Sequence, residues 1–152
     1  MRAGIVTGRI MKTFKLVIPS TPDQIQKVER YTEKIAGQIG FTRDEKDSLA
    51  IAITEVVANA IYHGNKSNPK KKVYLNIETH PKTMIIRIRD EGSGFDPDKI
   101  ADPLHPKNLL KDSGRGIYII RALMDEVSFK YVNNGTEVTL IKRSKNKKRH
   151  PK

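Results

Sequence analysis

Residues 49–65 read LAIAITEVVANAIYHGN, and they form the most apolar stretch of the chain that still keeps a helical period. Leu49, Ala52, Ile53, Val56, Val57, Ala60 and Ile61 recur at the spacing of one broad helix stripe, which predicts a largely buried helix. Thr42 stands before it with Glu45 three residues later, the pattern of a capping box. Gly64 sits where a helix stop belongs, so the helix is expected to run to about Tyr62. Two polar residues break the apolar run. Glu55 and Asn59 are spaced i, i+4 and share a face, and Tyr62 and His63 continue that edge. Burying a carboxylate and an amide is costly without partners. This edge therefore either touches solvent or faces a ligand, and the residues by themselves leave both open.

Upstream, residues 12–18 (KTFKLVI) alternate, with Phe14, Leu16 and Ile18 on one side, as in a half-buried strand ended by Pro19. Ser20 or Thr21 can cap the next helix, with Pro22 at an early helical position. Ile25, Val28, Tyr31 or Thr32, and Ile35 carry its period, before Gly37 and Gly40 loosen it. Downstream, the polar, basic loop 65–72 leads to two β-rich runs, 73–79 and 83–89, joined by His80-Pro81-Lys82 as a hairpin. From Asp90 to about Ser113 no period is sustained. A connection of that length inside a compact domain is usually functional or disordered. A helix is expected from Gly114 to about Met124. Strands follow at 126–132 and 136–142, around an Asn133-Asn134-Gly135 turn. Strands and helices group rather than alternate. The fold class is therefore α+β, a two-layer sandwich of a mostly antiparallel sheet with helices on one face.

Three further clusters carry chemistry. Asp90, Gly92 and Gly94 lie in DEGSGFDP just after a strand. That spacing serves a turn, or a carboxylate accepting a hydrogen bond from a ligand that the glycines let approach the backbone. Ser113, Gly114, Arg115 and Gly116 open a helix, where free N–H groups and small residues suit a phosphate. Gly135-Thr136 precedes the last strand and, taken singly, reads as a hairpin turn.

Composition bounds the rest. The 152 residues suggest one domain. The absence of cysteine excludes thiol nucleophiles, Cys-ligated zinc and disulfides, and fits a reducing compartment. No apolar run approaches a membrane span or a secretory signal core, so a cytoplasmic protein without membrane contact is expected. The net charge is +12, from 29 Lys and Arg against 17 Asp and Glu. Residues 1–15 hold four basic residues and 142–152 hold seven, with no acid in either stretch. The charge is mostly terminal, and a basic globular face is not required. The expected organisation is a flexible basic N-terminus (1–11), one domain (12–142) and a disordered basic tail (143–152). Seven positives in the last eleven residues are enough charge to contact nucleic-acid phosphates. A solvated solubility tail is the preferred reading.

The order of the clusters is more specific than any one of them. EVVANAIYHGN (55–65), DEGSGF (90–95), SGRGIYII (113–120) and Gly135-Thr136 together resemble the N box and the two glycine boxes of the GHKL ATPase superfamily. That superfamily includes gyrase, the ninety-kilodalton chaperone, mismatch-repair ATPases and histidine kinases. The combination of N-A-x-x-H-G with D-E-G-x-G-F in a short chain resembles its anti-sigma factor serine/threonine kinases. The resemblance implies the Bergerat ATP-binding fold, with ATP and Mg²⁺ as cofactors and the 90–113 loop as a lid. It implies Mg²⁺ on Asn59 and Glu55 as general base for a Ser or Thr hydroxyl. Asp90 would accept from the adenine amino group, with Gly92 and Gly94 beside base and sugar and Thr136 supporting that end. Ser113, Gly114, Arg115 and Gly116 would hold phosphates, with Lys107 and Lys111 reaching them from the lid. The implied partners are a STAS-type anti-anti-sigma protein, a sigma factor and a second copy of the chain. His63 fits a structural or phosphate-proximal role better than a phosphoacceptor. The alternative is a non-catalytic, ATP-dependent protein-binding module.

Overall fold

A computed structural model describes residues 12–92, 112–132 and 134–145, with only the backbone at 112–115. The elements run β1 (Lys12–Pro19), α1 (Asp23–Gln38), α2 (Arg43–Asn59), a wide turn (Ala60–Gly64), β2 (Lys72–His80), β3 (Thr83–Arg89), α3 (Asp112–Leu123), β4 (Glu126–Val132) and β5 (Gly135–Arg143). The five strands form one sheet in the order β1-β2-β3-β5-β4, antiparallel at every neighbouring pair. The α+β class and the strand–helix order read from the sequence hold.

The register explains the two layers. Leu16, Leu75, Ile88 and Val138 stand opposite one another across four strands, and Phe14, Ile77, Ile86 and Leu140 do so on the same face. Residues of period two on each strand thus build one continuous apolar face. That face and the stripes of α1 (Val28, Ile35), α2 (Leu49, Ile53, Val57) and α3 (Ile117, Ile120) make a single core. The other face is polar toward its middle, where Arg87 pairs with Glu78 at 2.6 Å.

Local chemistry sets the helix ends. Thr42 Oγ1 accepts from Glu45 N (3.2 Å) and Glu45 Oε1 accepts from Thr42 N (2.9 Å), completing the expected capping box of α2. The C-terminus of α3 receives Lys142, whose Nζ donates to Leu123 O at 2.8 Å, a cation on the negative end of the helix.

Several boundaries differ from expectation, each for a local reason. Neither Ser20 nor Thr21 caps α1; Pro22 occupies the N-cap without a side-chain bond, because Ser20 is buried and donates to Lys71 O at 2.7 Å. The regular part of α2 stops at Asn59 rather than about Tyr62. Its last turn widens to π geometry, with Asn65 N donating to Ala60 O at 2.8 Å, five residues back. The chain leaves it through Lys66 and Ser67, both left-handed (φ 52° and 58°). His80 pairs with Thr83, so the hairpin turn is Pro81-Lys82 rather than three residues, with Lys82 at φ 58°. Proline first and a left-handed residue second is the arrangement of a type II turn.

Lys12 and Lys15 belong to β1 and Lys142 to β5, as the strand patterns predict, and β5 runs one residue further, to Arg143. Residues 143–145, expected at the head of a disordered tail, are held. Arg143 pairs with Glu126 (2.6 Å), while Ser144 Oγ and Lys145 N donate to the Glu45 carboxylate (2.8 and 2.7 Å). A carboxylate already ordered by a helix cap has spare lone pairs to bind the strand end. Residues 1–11 and 146–152 lie outside the described residues.

Candidate functional site

Asp90 follows β3 directly and lies at the centre of the site. Its N–H donates to Thr136 O, and its Oδ1 accepts from Thr136 N, both at 3.1 Å. Oδ1 also accepts from Gly92 N at 2.9 Å. Thr136 therefore supports Asp90 through its backbone. Asp90 is 7% exposed. Burial pushes its carboxyl above the usual carboxylate range, against the opposing pull of the Gly92 and Thr136 N–H groups and of nearby Arg89 and Lys71. Among the described residues Oδ2 accepts no hydrogen bond.

Glycine surrounds this carboxylate because nothing larger fits. A Cβ on Gly64 would overlap Asp90 Oδ2 and lie 2.5 Å from its Cγ. One on Gly92 would overlap the Gly64 carbonyl oxygen, and one on Gly135 the Asp90 carbonyl oxygen. The wide turn after α2, the exit of β3 and the start of β5 thus meet as bare backbone around one carboxylate. Only glycine lets three main-chain segments close this tightly on one side chain.

The second half of the site joins α2 to α3. Glu55 and Asn59 lie on one face of α2, both half-buried. A Cβ on Gly116 would overlap Glu55 Oε2 and fall 2.9 Å from its Cδ, so the first turns of α3 rest on the Glu55 carboxylate. Among the described residues neither the Glu55 nor the Asn59 side chain has a hydrogen-bond partner. The described residues contain no cluster of three His, Cys, Asp or Glu able to hold a metal.

The structure therefore brings together Glu55 and Gly116, and Asp90, Gly92 and Thr136. Ser113, Gly114 and Arg115 fall in the first turn of α3, which begins at Asp112 rather than Gly114. Gly94, Lys107 and Lys111 lie outside the described residues. His63 is exposed. Three contributors were missed in the sequence. Gly64 reads there as a helix stop, although its place directly against Asp90 is what makes it glycine. Asn65 and Glu91 read as loop residues. Asn65 is 1% exposed, and its Oδ1 accepts from Glu91 N at 2.7 Å. The Glu91 carboxylate, held below its usual range by the Tyr74 hydroxyl and the Lys72 N–H, fastens this segment to β2. No local pattern could have marked these two, because Asn65 bonds to Ser20 and Glu91, 45 and 26 residues away, and Glu91 to Lys72 and Tyr74, 19 and 17 residues away.

Comparison with known proteins agrees with this geometry. The histidine kinase-like ATPase domain family matches residues 18–142. The chain is 28% identical over 132 residues to the serine-protein kinase RsbW of Bacillus subtilis, covering 83% of this chain and 81% of that protein. It is 37% identical over 108 residues to the anti-sigma F factor of Anoxybacillus flavithermus, covering 69% and 74%. Among solved structures it is similar to the RsbU and RsbW domains of a Mycobacterium tuberculosis protein, with TM-score 0.64 and 18% identity. That match covers 88% of this chain and 32% of the other. A histidine kinase domain from Erythrobacter litoralis gives TM-score 0.54 at 17% identity, covering 83% and 61%. At such identities the two structures speak for the fold.

Proposed function

The chain belongs to the histidine kinase-like ATPase domain family, and from that membership we propose that it is an ATP-binding anti-sigma factor and serine/threonine kinase. It phosphorylates a hydroxyl of a STAS-type anti-anti-sigma antagonist, and it sequesters a sigma factor when that antagonist is phosphorylated. The observation that carries the reading is the contact of Glu55 with Gly116, which joins the N-box helix to the second glycine box.

Bound ATP would supply the γ-phosphoryl group, and Mg²⁺ would supply charge neutralisation. Transfer then asks little of the protein beyond positioning and electrostatics. Asp90 Oδ2 accepts from the adenine amino group, while Gly92, Gly94 and Thr136 flank the base and sugar. Asn59 offers its amide oxygen to Mg²⁺. The N–H groups at the start of α3, with Ser113, Gly114, Arg115 and Gly116, would hold the phosphates, and either Lys107 or Lys111 would add charge there. Glu55 takes the proton of the substrate hydroxyl as it attacks, acting from within hydrogen-bond reach. Homodimerisation and a cytoplasmic setting belong to the same reading. Among the described residues no helix is long and apolar enough to cross a membrane.

Incubation with labelled ATP and candidate STAS-type antagonists tests this. Transfer to a Ser or Thr is expected, with Glu55→Ala losing transfer and keeping ATP binding. ATP binding without transfer to any antagonist would refute the kinase and leave a nucleotide-dependent binding module.

A further inference from the structure

Asn65 is the most connected polar side chain near the Asp90 cradle, and no role in ATP chemistry has so far been given to it. Its amide is completely used. Oδ1 accepts from Glu91 N (2.7 Å), and Nδ2 donates to Ser20 Oγ (2.7 Å) and to Lys72 O (3.0 Å). Ser20 in turn donates to Lys71 O, so the amide cannot rotate without breaking a second bond. Lys72 is gripped from two sides. Its carbonyl accepts from Asn65, and its N–H donates to Glu91 Oε1 at 2.7 Å.

The geometry points to Asn65 as a positioning residue for base recognition: by tying the turn after α2 to the N–H of Glu91, it fixes the Asp90 carboxylate against Gly64. The inference rests on the nucleotide reading of the site. Asp90 is held on its β5 side by two bonds with Thr136. On its other side Gly64 touches its carboxylate by shape only. Among the described residues, the Asn65–Glu91 bond is the hydrogen bond that joins the wide turn to the Asp90–Gly92 exit. Loss of the Asn65 amide removes both this bond and the bridge through Lys72, so Gly64 and Asp90 lose their directional tie and the carboxylate gains freedom to turn away from the base edge. The phosphate end, on α2 and α3, is untouched by this bond. Loss of Asn65 should therefore weaken discrimination of the base more than binding of the triphosphate.

The test compares Mg²⁺-ATP with Mg²⁺-inosine triphosphate, whose base carries an acceptor where adenine has its amino donor, using calorimetry on the full chain. The wild type should prefer ATP. In Asn65→Ala the preference should fall about tenfold, the worth of one hydrogen bond to a charged group, while inosine triphosphate binding persists. Ser20→Ala, which releases the amide nitrogen and is the milder change, should lower the same ratio by a smaller factor. It decides the matter if Asn65→Ala does not fold. A purely structural role would lower both affinities together and leave the ratio unchanged, and that result in a folded variant overturns the inference. A wild type that binds neither nucleotide, or both equally, overturns the nucleotide reading itself.

Discussion

Gly116→Ala separates the fold of this protein from its chemistry. The new methyl would overlap Glu55 Oε2 and stand 2.9 Å from Cδ and 3.1 Å from Cγ, where ordinary contact begins near 3.4 Å. The obstacle is the end of a flexible side chain, so Glu55 can swing aside. Its carboxylate oxygen must move by about 1 Å to restore normal contact. Alanine also favours the helical state of α3 by about 0.5–1 kcal/mol over glycine, which offsets the displacement. The melting temperature should therefore stay within about 3 °C of wild type. Catalysis has no such slack. A base acts from about 2.6–3.2 Å, and a misplacement of about 1 Å costs on the order of 100-fold. The assay pairs scanning calorimetry and ATP titration with the rate of labelled phosphate transfer to an antagonist. The expected pattern is intact folding, near-normal ATP binding and a rate lowered about 100-fold. Unchanged transfer, or a loss fully accounted for by unfolding, would refute the placement of Glu55 as base.

Gly64→Ala should behave oppositely, because its methyl would meet an Asp90 carboxylate pinned by two backbone N–H groups. Calorimetry should show a loss of about 1–3 kcal/mol, the range of an overpacked site, with ATP binding abolished. Asp90 gives a pH signature. Its folded-state pKa lies above the unfolded value, so the folded state binds the proton more tightly. Stability without nucleotide should thus decline as pH rises from the ordinary carboxylate value through the raised one. ATP affinity should rise over the same window as the acceptor ionises, and in Asp90→Asn both trends, read by melting and titration series, should flatten. Glu45→Ala removes the capping box and the anchors of Ser144 and Lys145 together, so it should destabilise by about 1–2 kcal/mol without changing the ATP dissociation constant. Burial raises the Glu45 carboxyl, but hydrogen bonds from Thr42, Lys145 and Ser144 outweigh it and leave the pKa lowered. Its contribution is accordingly present above the unfolded value and lost as pH falls through the folded one, which acid titration of melting temperature will read.

Much of this protein was legible in its residues because the signals are local. A stripe at Leu49, Ile53 and Val57 or an alternation at Phe14, Leu16 and Ile18 is enforced within a few residues by the geometry of helix and strand. Strand–helix order, the antiparallel sheet and the capping box at Thr42 and Glu45 followed from such patterns. So did the four motif clusters, since each sits in one short segment. Element ends were less legible. Ser20 has the composition of a cap, but a competing bond to Lys71 and Asn65 took its hydroxyl elsewhere.

The sequence by itself determined which residue types are present and which face of its own element each occupies. Only the tertiary structure decided which faces meet. Gly64, Gly92 and Gly135 surround Asp90 because three separated segments converge there as bare backbone. Gly116 is bound to Glu55 because α3 lies on α2. Asn65 reaches Glu91 across 26 residues of chain. Likewise Arg143, Ser144 and Lys145, which looked like the head of a loose basic tail, are held because β5 pairs with β3 and Glu45 receives the residues after it. Backbone pairing and close approach depend on what the distant chain brings, and no run of neighbouring residues encodes that.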